Sequence, residues 1–374
     1  MEKCIYQAMR SGLNFADLGC KQKNAGTGSK PSERKTMKHI STVFMSLLFA
    51  ALAAVIVISL TAADTSRDKI ITLTYAEVNP LDGTIAGEMA KAFKEKTEEL
   101  SGGTVRIDIQ AGGVLGSEDQ ILDNLLGGGN VADISRISAF ALSQYGCNKA
   151  SLLGIPYTFE NEEHFWTFAQ SDLAQEFLME PHEKGLPLRG LCYGEEGFRH
   201  FFFKSEVNGI NDLKDKKMRV SSDPVMTGMV NDLGASATTV AFTELYSALS
   251  TGVVDGAEQP IANYSSNAFN EVAPYVLLDG HTLGVMQIVM ADHSWDRLND
   301  KQREWITEAS KYASYVCSEK VQEIGTSEIS RLTDSGVTVV SVDNKDEWVS
   351  ACAPTISKFS GDMPELYEKI RSLK

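Results

Sequence analysis

The chain has little of what metal, thiol and phosphate chemistry needs. Its six cysteines fall at positions 4, 20, 147, 192, 317 and 352, no two closer than sixteen residues, which excludes a Cys-x-x-Cys redox pair and a local zinc-ligand cluster. Six histidines are scattered without a His-Glu-x-x-His, and there is no nucleophile elbow. The glycine-rich turns lack the spacings that cradle nucleotide phosphates, so they read as turn chemistry. No metal or cofactor is expected. Positive charge is also scarce, with 35 Lys+Arg against 50 Asp+Glu. Nine of the basic and five of the acidic residues lie in the first 68 positions, leaving 26 against 45 and a net charge of −19 from residue 69 onward. A nucleic acid partner is not expected on that balance.

What is present is ordinary for a two-domain globular protein: 374 residues, 43% hydrophobic and 23% charged. Residues 1–36 are polar, with Gly26, Gly28, Ser29, Pro31 and Ser32 clustered, and read as disordered or as a misannotated start ahead of Met37. Met37-Lys38-His39 leads into an apolar run from Val43 to Leu60, closed by Thr61-Ala62-Ala63. Residues 37–63 therefore read as a secretory signal peptide or an uncleaved N-terminal anchor. Either reading places the remaining chain in the periplasm or another extracytoplasmic space. That compartment permits disulfides among the last four cysteines, but spacing assigns no pairing, and buried free thiols are the expectation.

From residue 69 strands alternate with helices. Ile70–Tyr75, Val105–Ile109 and Val131–Ile137 read as strands, separated by helices over 83–101 and after the Gly112–Gly116 turn. This order implies parallel pairing in an open α/β sheet, where ligands bind beyond the carboxyl ends of the strands. Glu77 and Asn79 after the first strand, and Ser135 to Ser138 at the end of the third, are thus candidate wall residues. Helices are expected near 161–171 and 172–184, then two strands, Leu188–Tyr193 and Phe198–Phe203, divided by Gly194-Glu195-Glu196-Gly197. Arg199 sits in the second, where Glu195 or Glu196 would be its local partner.

Arg219 lies in a short strand between Met218 and Val220. A buried guanidinium stays charged, requires a partner, and presents a rigid fork that matches a carboxylate. Taken alone it would pair with one of the chain's own carboxylates. Asp223-Pro224 starts a helix, a second follows near 242–251, and a strand is expected at 253–258. Beyond Asn263, Tyr264 and Asn267, strands are expected at 272–278 and 284–290, with His281 between them. A proline-free helix spans 299–333, a last strand covers 337–342, and a helical region from 347 to 373 is interrupted by Pro354 and Pro364.

Several ordered motifs run together here: Asp212-Leu213-Lys214, Lys217-Met218-Arg219-Val220, Leu233-Gly234-Ala235, Phe242 to Leu249, and Thr251 to Gly256. With Gly113-Val114-Leu115-Gly116-Ser117 and Leu153 to Phe159 upstream, and His281 and Trp295 to Leu298 downstream, they resemble the solute-binding subunit of TRAP (tripartite ATP-independent periplasmic) transporters. The resemblance covers the chain from about residue 70 to its end.

It implies an α/β, two-lobed periplasmic-binding-protein-like fold with a long helix spanning both lobes. Lobe I would comprise 69–196 plus 284–324, and lobe II 197–283 plus 325–374. It implies a small-molecule carboxylate ligand and integral membrane subunits as partners. Arg219 would pair with the ligand carboxylate, Arg199 would add a second cationic contact, and His281 matches a histidine close to the site. Gln259 stands where the family commonly carries asparagine, a methylene longer, which suggests a smaller or differently posed ligand. Ser221-Ser222 replaces a proline common after this strand. Glu258, Asn263 and Glu77 add polar groups, and Ser138 is a wall candidate. A plain aliphatic dicarboxylate would leave such groups unpaired, so a hydroxylated sugar acid is expected among the organic acids. A ligand-sensing module for a signalling receptor shares fold and site and is the alternative; acid–base work by Glu195 with Glu196, or Asp279 with His281, would make an enzyme.

Overall fold

The computed structural model describes residues 70–373. The expected start at 1–36, the export segment at 37–63, Cys4 and Cys20 lie outside the described residues. Strand β1 (Ile71–Ala76) pairs in parallel with β2 (Val105–Gln110) in one register from Ile71↔Val105 to Ala76↔Gln110. The helix between them, Ile85–Leu100, is capped by the Thr84 hydroxyl, which accepts from the Gly87 N–H at 2.9 Å, and it buries Ile85, Met89, Ala92 and Phe93 as the spacing predicts. A Ser117–Gln120 capping box starts the next helix, Glu118–Leu126. Strand β3 covers Ile134–Ser138 rather than 131–137, because its pairing with β1 begins at Tyr75↔Ile134 and leaves Val131 exposed.

Two long antiparallel strands form the middle of the sheet. β4 runs from Leu188 to Phe203, whereas the sequence suggested two strands and a turn. Gly194-Glu195-Glu196-Gly197 has turn composition, but pairing with the neighbouring strand resumes at Phe198 after Glu195, so the chain continues as one strand and the surplus residues are absorbed as a bulge at Glu196–Gly197. Gly197, at φ 84°, supplies a backbone conformation that a side chain would oppose.

The remaining strands are β5 (Lys217–Val220), β6 (Ser236–Thr239), β7 (Gly256–Pro260), β8 (Tyr275–Ala291) and β9 (Thr338–Ser341). β8 likewise joins what the sequence divided at His281. The sheet order is β2-β1-β3-β8-β4-β7-β5-β6, with β9 beside β8. The C-terminal half of β8 pairs with β3, and its N-terminal half pairs with β9. Both long strands thus pass through a lobe built on β1–β3 and a lobe built on β5–β7. β6 was not legible because Ser-Ala-Thr-Thr carries no apolar alternation, and β7 starts later than expected, leaving Val253 exposed.

The helix Asp300–Asp334 has 35 residues and begins with an Asn299–Gln302 capping box. At 1.5 Å per residue it extends roughly 50 Å. It packs on the Ile85–Leu100 helix, on β4, and on the Ile261–Ser266 helix and β9. Ser310, Ser314 and Cys317 donate from it to the carbonyls of Leu191, Tyr193 and Glu195 at 3.3, 2.7 and 3.3 Å. These alternate carbonyls lie on the edge of β4 away from β8, so the helix satisfies an otherwise open sheet edge. Pro354 and Pro364 fall in the first turns of two of three terminal helices, Ala353–Gly361 and Pro364–Ser372, where the missing N–H is harmless. Cys147, Cys192, Cys317 and Cys352 are buried free thiols. Among the described residues no helix is long and apolar enough to cross a membrane.

Candidate functional site

Three buried arginines, Arg136 on β3, Arg199 on β4 and Arg219 on β5, converge on one cavity. Their surroundings differ. Arg136 donates through Nε to Glu77 Oε2 at 2.9 Å and through its fork to Glu77 Oε1. Arg199 forks onto both oxygens of Glu258, with Nη2 to Oε1 at 2.9 Å. The β4–β7 register explains this pair, since Arg199 lies opposite Pro260 and Phe201 opposite Glu258, which makes Arg199 and Glu258 diagonal neighbours on one face. Arg199 therefore does not take Glu195 or Glu196. Burial opposes the charge on both arginines, but Glu77 and Glu258 outweigh it and raise their pKa values.

Arg219 donates through Nε to the Val240 carbonyl at 2.8 Å and, among the described residues, has no carboxylate within ion-pair distance. Burial lowers its pKa to about 10, and Glu258 offsets this only in part. Its strand neighbours Met218 and Val220 are fully buried, which fixes the strand that carries Arg219 to the cavity.

Behind Arg199 stands a second tier. His281 Nε2 lies 3.5 Å from Glu258 Oε2, and its Nδ1 is 2.6 Å from Asp279 Oδ2. The imidazole stacks on Phe201 with ring centroids 4.6 Å apart, and Asp279 Oδ1 accepts from the Phe201 N–H at 3.0 Å. Burial disfavours the imidazolium, yet the Asp279 and Glu258 carboxylates push the group up to about 9. Burial likewise disfavours the Glu258 anion, which Arg199 nevertheless holds down at about 2.

The cavity, of about 50 Å³, is lined from the β1–β3 side by Asn79, Glu118, Asp119 and Ser138, and from the β5–β7 side by Ser221, Gln259 and Asn263, with Glu196 at the crossover. Glu196 Oε1, Asn263 Oδ1 and Ser221 Oγ are buried there without a hydrogen-bond partner. The lips are joined: Ser222 donates to Asp119 at 2.7 Å and Ser143 to Asp223 at 3.1 Å.

Of the residues singled out from sequence, Arg219, Arg199, Gln259, Asn263 and Ser138 line the cavity, as does Asn79. Glu77, Glu258 and His281 stand behind the lining, because each is engaged by a buried arginine or by a neighbouring carboxylate. Tyr264 belongs to the core, where its hydroxyl donates to the Ala273 carbonyl at 2.9 Å. Glu195 faces the other side of β4, towards Trp166. Arg136 lies inside the Ser135–Ser138 stretch, and a cation at a strand end is the sequence signal that marks it. Glu118 and Asp119 stand in the first turn of the Glu118–Leu126 helix, where the helix dipole favours acidic residues whatever their role, so no sequence signal marks them as cavity residues.

The family described as bacterial extracellular solute-binding protein, family 7, matches residues 76–362. A solute-binding protein of Chromohalobacter salexigens is 25% identical over 289 residues, covering 77% of this chain and 84% of its own. The C4-dicarboxylate-binding periplasmic protein DctP of Rhodobacter capsulatus is 25% identical over 297 residues, covering 76% and 88%. A TRAP periplasmic solute-binding protein from Bradyrhizobium sp. BTAi1, solved with α/β-D-galacturonate, superposes with a TM-score of 0.76 at 29% identity, covering 80% of this chain and 99% of its own.

Proposed function

Because the chain belongs to the bacterial extracellular solute-binding protein family 7, we propose that it captures an organic acid anion between its two lobes and delivers it to the integral membrane subunits of a TRAP transporter. Capture takes place outside the cytoplasmic membrane, after export directed by residues 37–63.

The observation that carries this reading is Arg219, a buried guanidinium in the cavity whose fork no carboxylate of the described chain engages. A ligand carboxylate supplies the missing counter-ion in bidentate form. Arg199 and Arg136, each already neutralised from behind, contribute directed N–H groups and little net charge. Gln259, Asn263 and Ser138 supply amide and hydroxyl partners. The ligands named for two relatives, galacturonate and C4-dicarboxylates, are both carboxylates, which supports the assignment.

The bonded lips over a small cavity require the lobes to part for access. The hinge is placed where the lobe boundaries drawn from sequence cross the long strands, at Glu196–Gly197 and Leu283–Gly284. The bulge at Glu195–Phe198 and the positive φ of Gly197 support that placement.

The test is mass spectrometry of the molecule released when the purified protein is denatured. A carboxylate carried by the native protein and lost from Arg219→Ala is expected, since breaking a buried charged pair costs roughly 2 to 5 kcal/mol. A neutral or cationic solute, or an organic acid retained equally by the variant, overturns the reading.

A further inference from the structure

The cavity wall carries three guanidiniums, but only one is available to a ligand anion, because Glu77 occupies Arg136 and Glu258 occupies Arg199. The same cavity is lined by three carboxylates as well: Glu118, Asp119 and Glu196. Glu118 accepts from the Ser138 N–H at 2.9 Å and lies 3.9 Å from Arg136, and Asp119 is held by Ser222. Glu196 is the exposed need. It is 6% accessible, lines the cavity, and leaves Oε1 without a partner. Beside it Asn263, 3% accessible, leaves Oδ1 unpartnered in the same way.

Both orphaned atoms are acceptors. A buried acceptor without a donor is costly, so the molecule that completes this wall must bring donors. A second carboxylate brings none and adds like charge next to Glu118 and Glu196, with no free guanidinium to balance it. Resting on the carboxylate reading of Arg219, we propose that Glu196, supported by Asn263, selects polyhydroxy monocarboxylates and excludes dicarboxylates. Burial raises the Glu196 carboxyl above its ordinary range while Arg136, Arg199 and a hydrogen bond from the Asn263 side chain draw it down, and a ligand hydroxyl donating to Oε1 favours the charged form. This separates the chain from relatives for C4-dicarboxylates through a residue on the crossover strand, away from the Arg219 clamp.

Calorimetric titration of the purified protein with matched pairs decides it: D-gluconate against D-glucarate, D-erythronate against meso-tartrate, and D-galacturonate against galactarate. Within each pair one end of the carbon skeleton is exchanged for a carboxylate. The monocarboxylate is expected to bind at least ~10-fold tighter, as like-charge juxtaposition in a buried site demands. Glu196→Gln keeps the shape and removes the charge, and is expected to bring the ratio within about 3-fold, weakening the monocarboxylate and admitting the dicarboxylate. Equal or tighter dicarboxylate binding, a dicarboxylate as the molecule carried by the native protein, or an unchanged ratio in the variant overturns this inference while leaving the carboxylate reading intact. Binding of no organic acid, with a neutral solute bound instead, removes both. The wild-type ratio needs no variant, so the inference can fail even if Glu196→Gln does not fold.

Discussion

The Ser222 hydroxyl donates to the Asp119 carboxylate at 2.7 Å, between residues 103 positions apart in the chain. It fastens the loop after β5 to the N-terminal turn of the Glu118–Leu126 helix, and Ser143 to Asp223 at 3.1 Å fastens the same loop to the short helix Ala139–Tyr145. Ser221-Ser222 stands where the family resemblance leads one to expect proline, which has no side-chain hydroxyl to offer. Ser222→Ala removes one charge-assisted bond from a partly exposed lip, so ligand release is expected to accelerate by a factor on the order of ten. Thermal unfolding should barely change. Stopped-flow displacement of bound ligand measures the rate, and an unaltered rate would show that the lips are held elsewhere.

His281 makes stability depend on alkaline pH. Its folded-state pKa of about 9 lies above the ordinary 6.5, so its contribution is complete below pH 6.5 and is lost as pH rises through 9. The shift corresponds to a loss on the order of 3 kcal/mol across that window. Urea unfolding at pH 6 and pH 10 checks the fall, and His281→Asn is expected to reduce it by about that amount.

Glu195 acts in the same direction over a lower window. Burial, reinforced by Glu162, pushes its carboxyl up to about 8, although the Gly197 and Trp166 N–H groups donate to it. Its contribution is present below pH 4.5 and is lost as pH rises through 8. Glu195→Gln abolishes this titration, so the stability of the variant relative to wild type should rise by roughly 3 to 5 kcal/mol between pH 4 and pH 9. A pH-independent difference between the two proteins would contradict the assignment.

Gly284 sits on β8, packed against Pro260 of β7 and the Gly197 backbone of β4. A methyl group there would meet Pro260 Cγ at 2.7 Å and the Gly197 carbonyl oxygen at 3.0 Å. Gly284→Ala is expected to destabilise by about 1 to 3 kcal/mol through overpacking. It should also weaken ligand binding, because Pro260 follows Gln259 directly. Gly361, where an added methyl meets nothing within 4 Å, serves as the control and should tolerate alanine. Unfolding midpoints of the two variants distinguish them.

Local chemistry was enough to read several features directly from the sequence. The amphipathic helices at 85–100 and 300–334, the Asp223-Pro224 helix start and the buried strand around Arg219 all follow from apolar spacing, caps and propensity acting over a few residues. The ordered motifs around Arg219 were likewise sufficient for the family and for the two-lobed α/β fold. Only the tertiary structure decided which charges remain available. Arg199 meets Glu258 because the antiparallel register makes them diagonal neighbours, and Arg136 meets Glu77 because two parallel strands end side by side. Pairings across 59 positions in each case depend on register, which no local pattern encodes. The same is true of β4 and β8: glycine and acidic residues that look like turns become bulges within one continuous strand, because the pairing of the two strands resumes on either side of them. Arg219 was visible as a cation needing a partner, and the fold leaves it on the Val240 carbonyl with no carboxylate of the described residues within ion-pair distance.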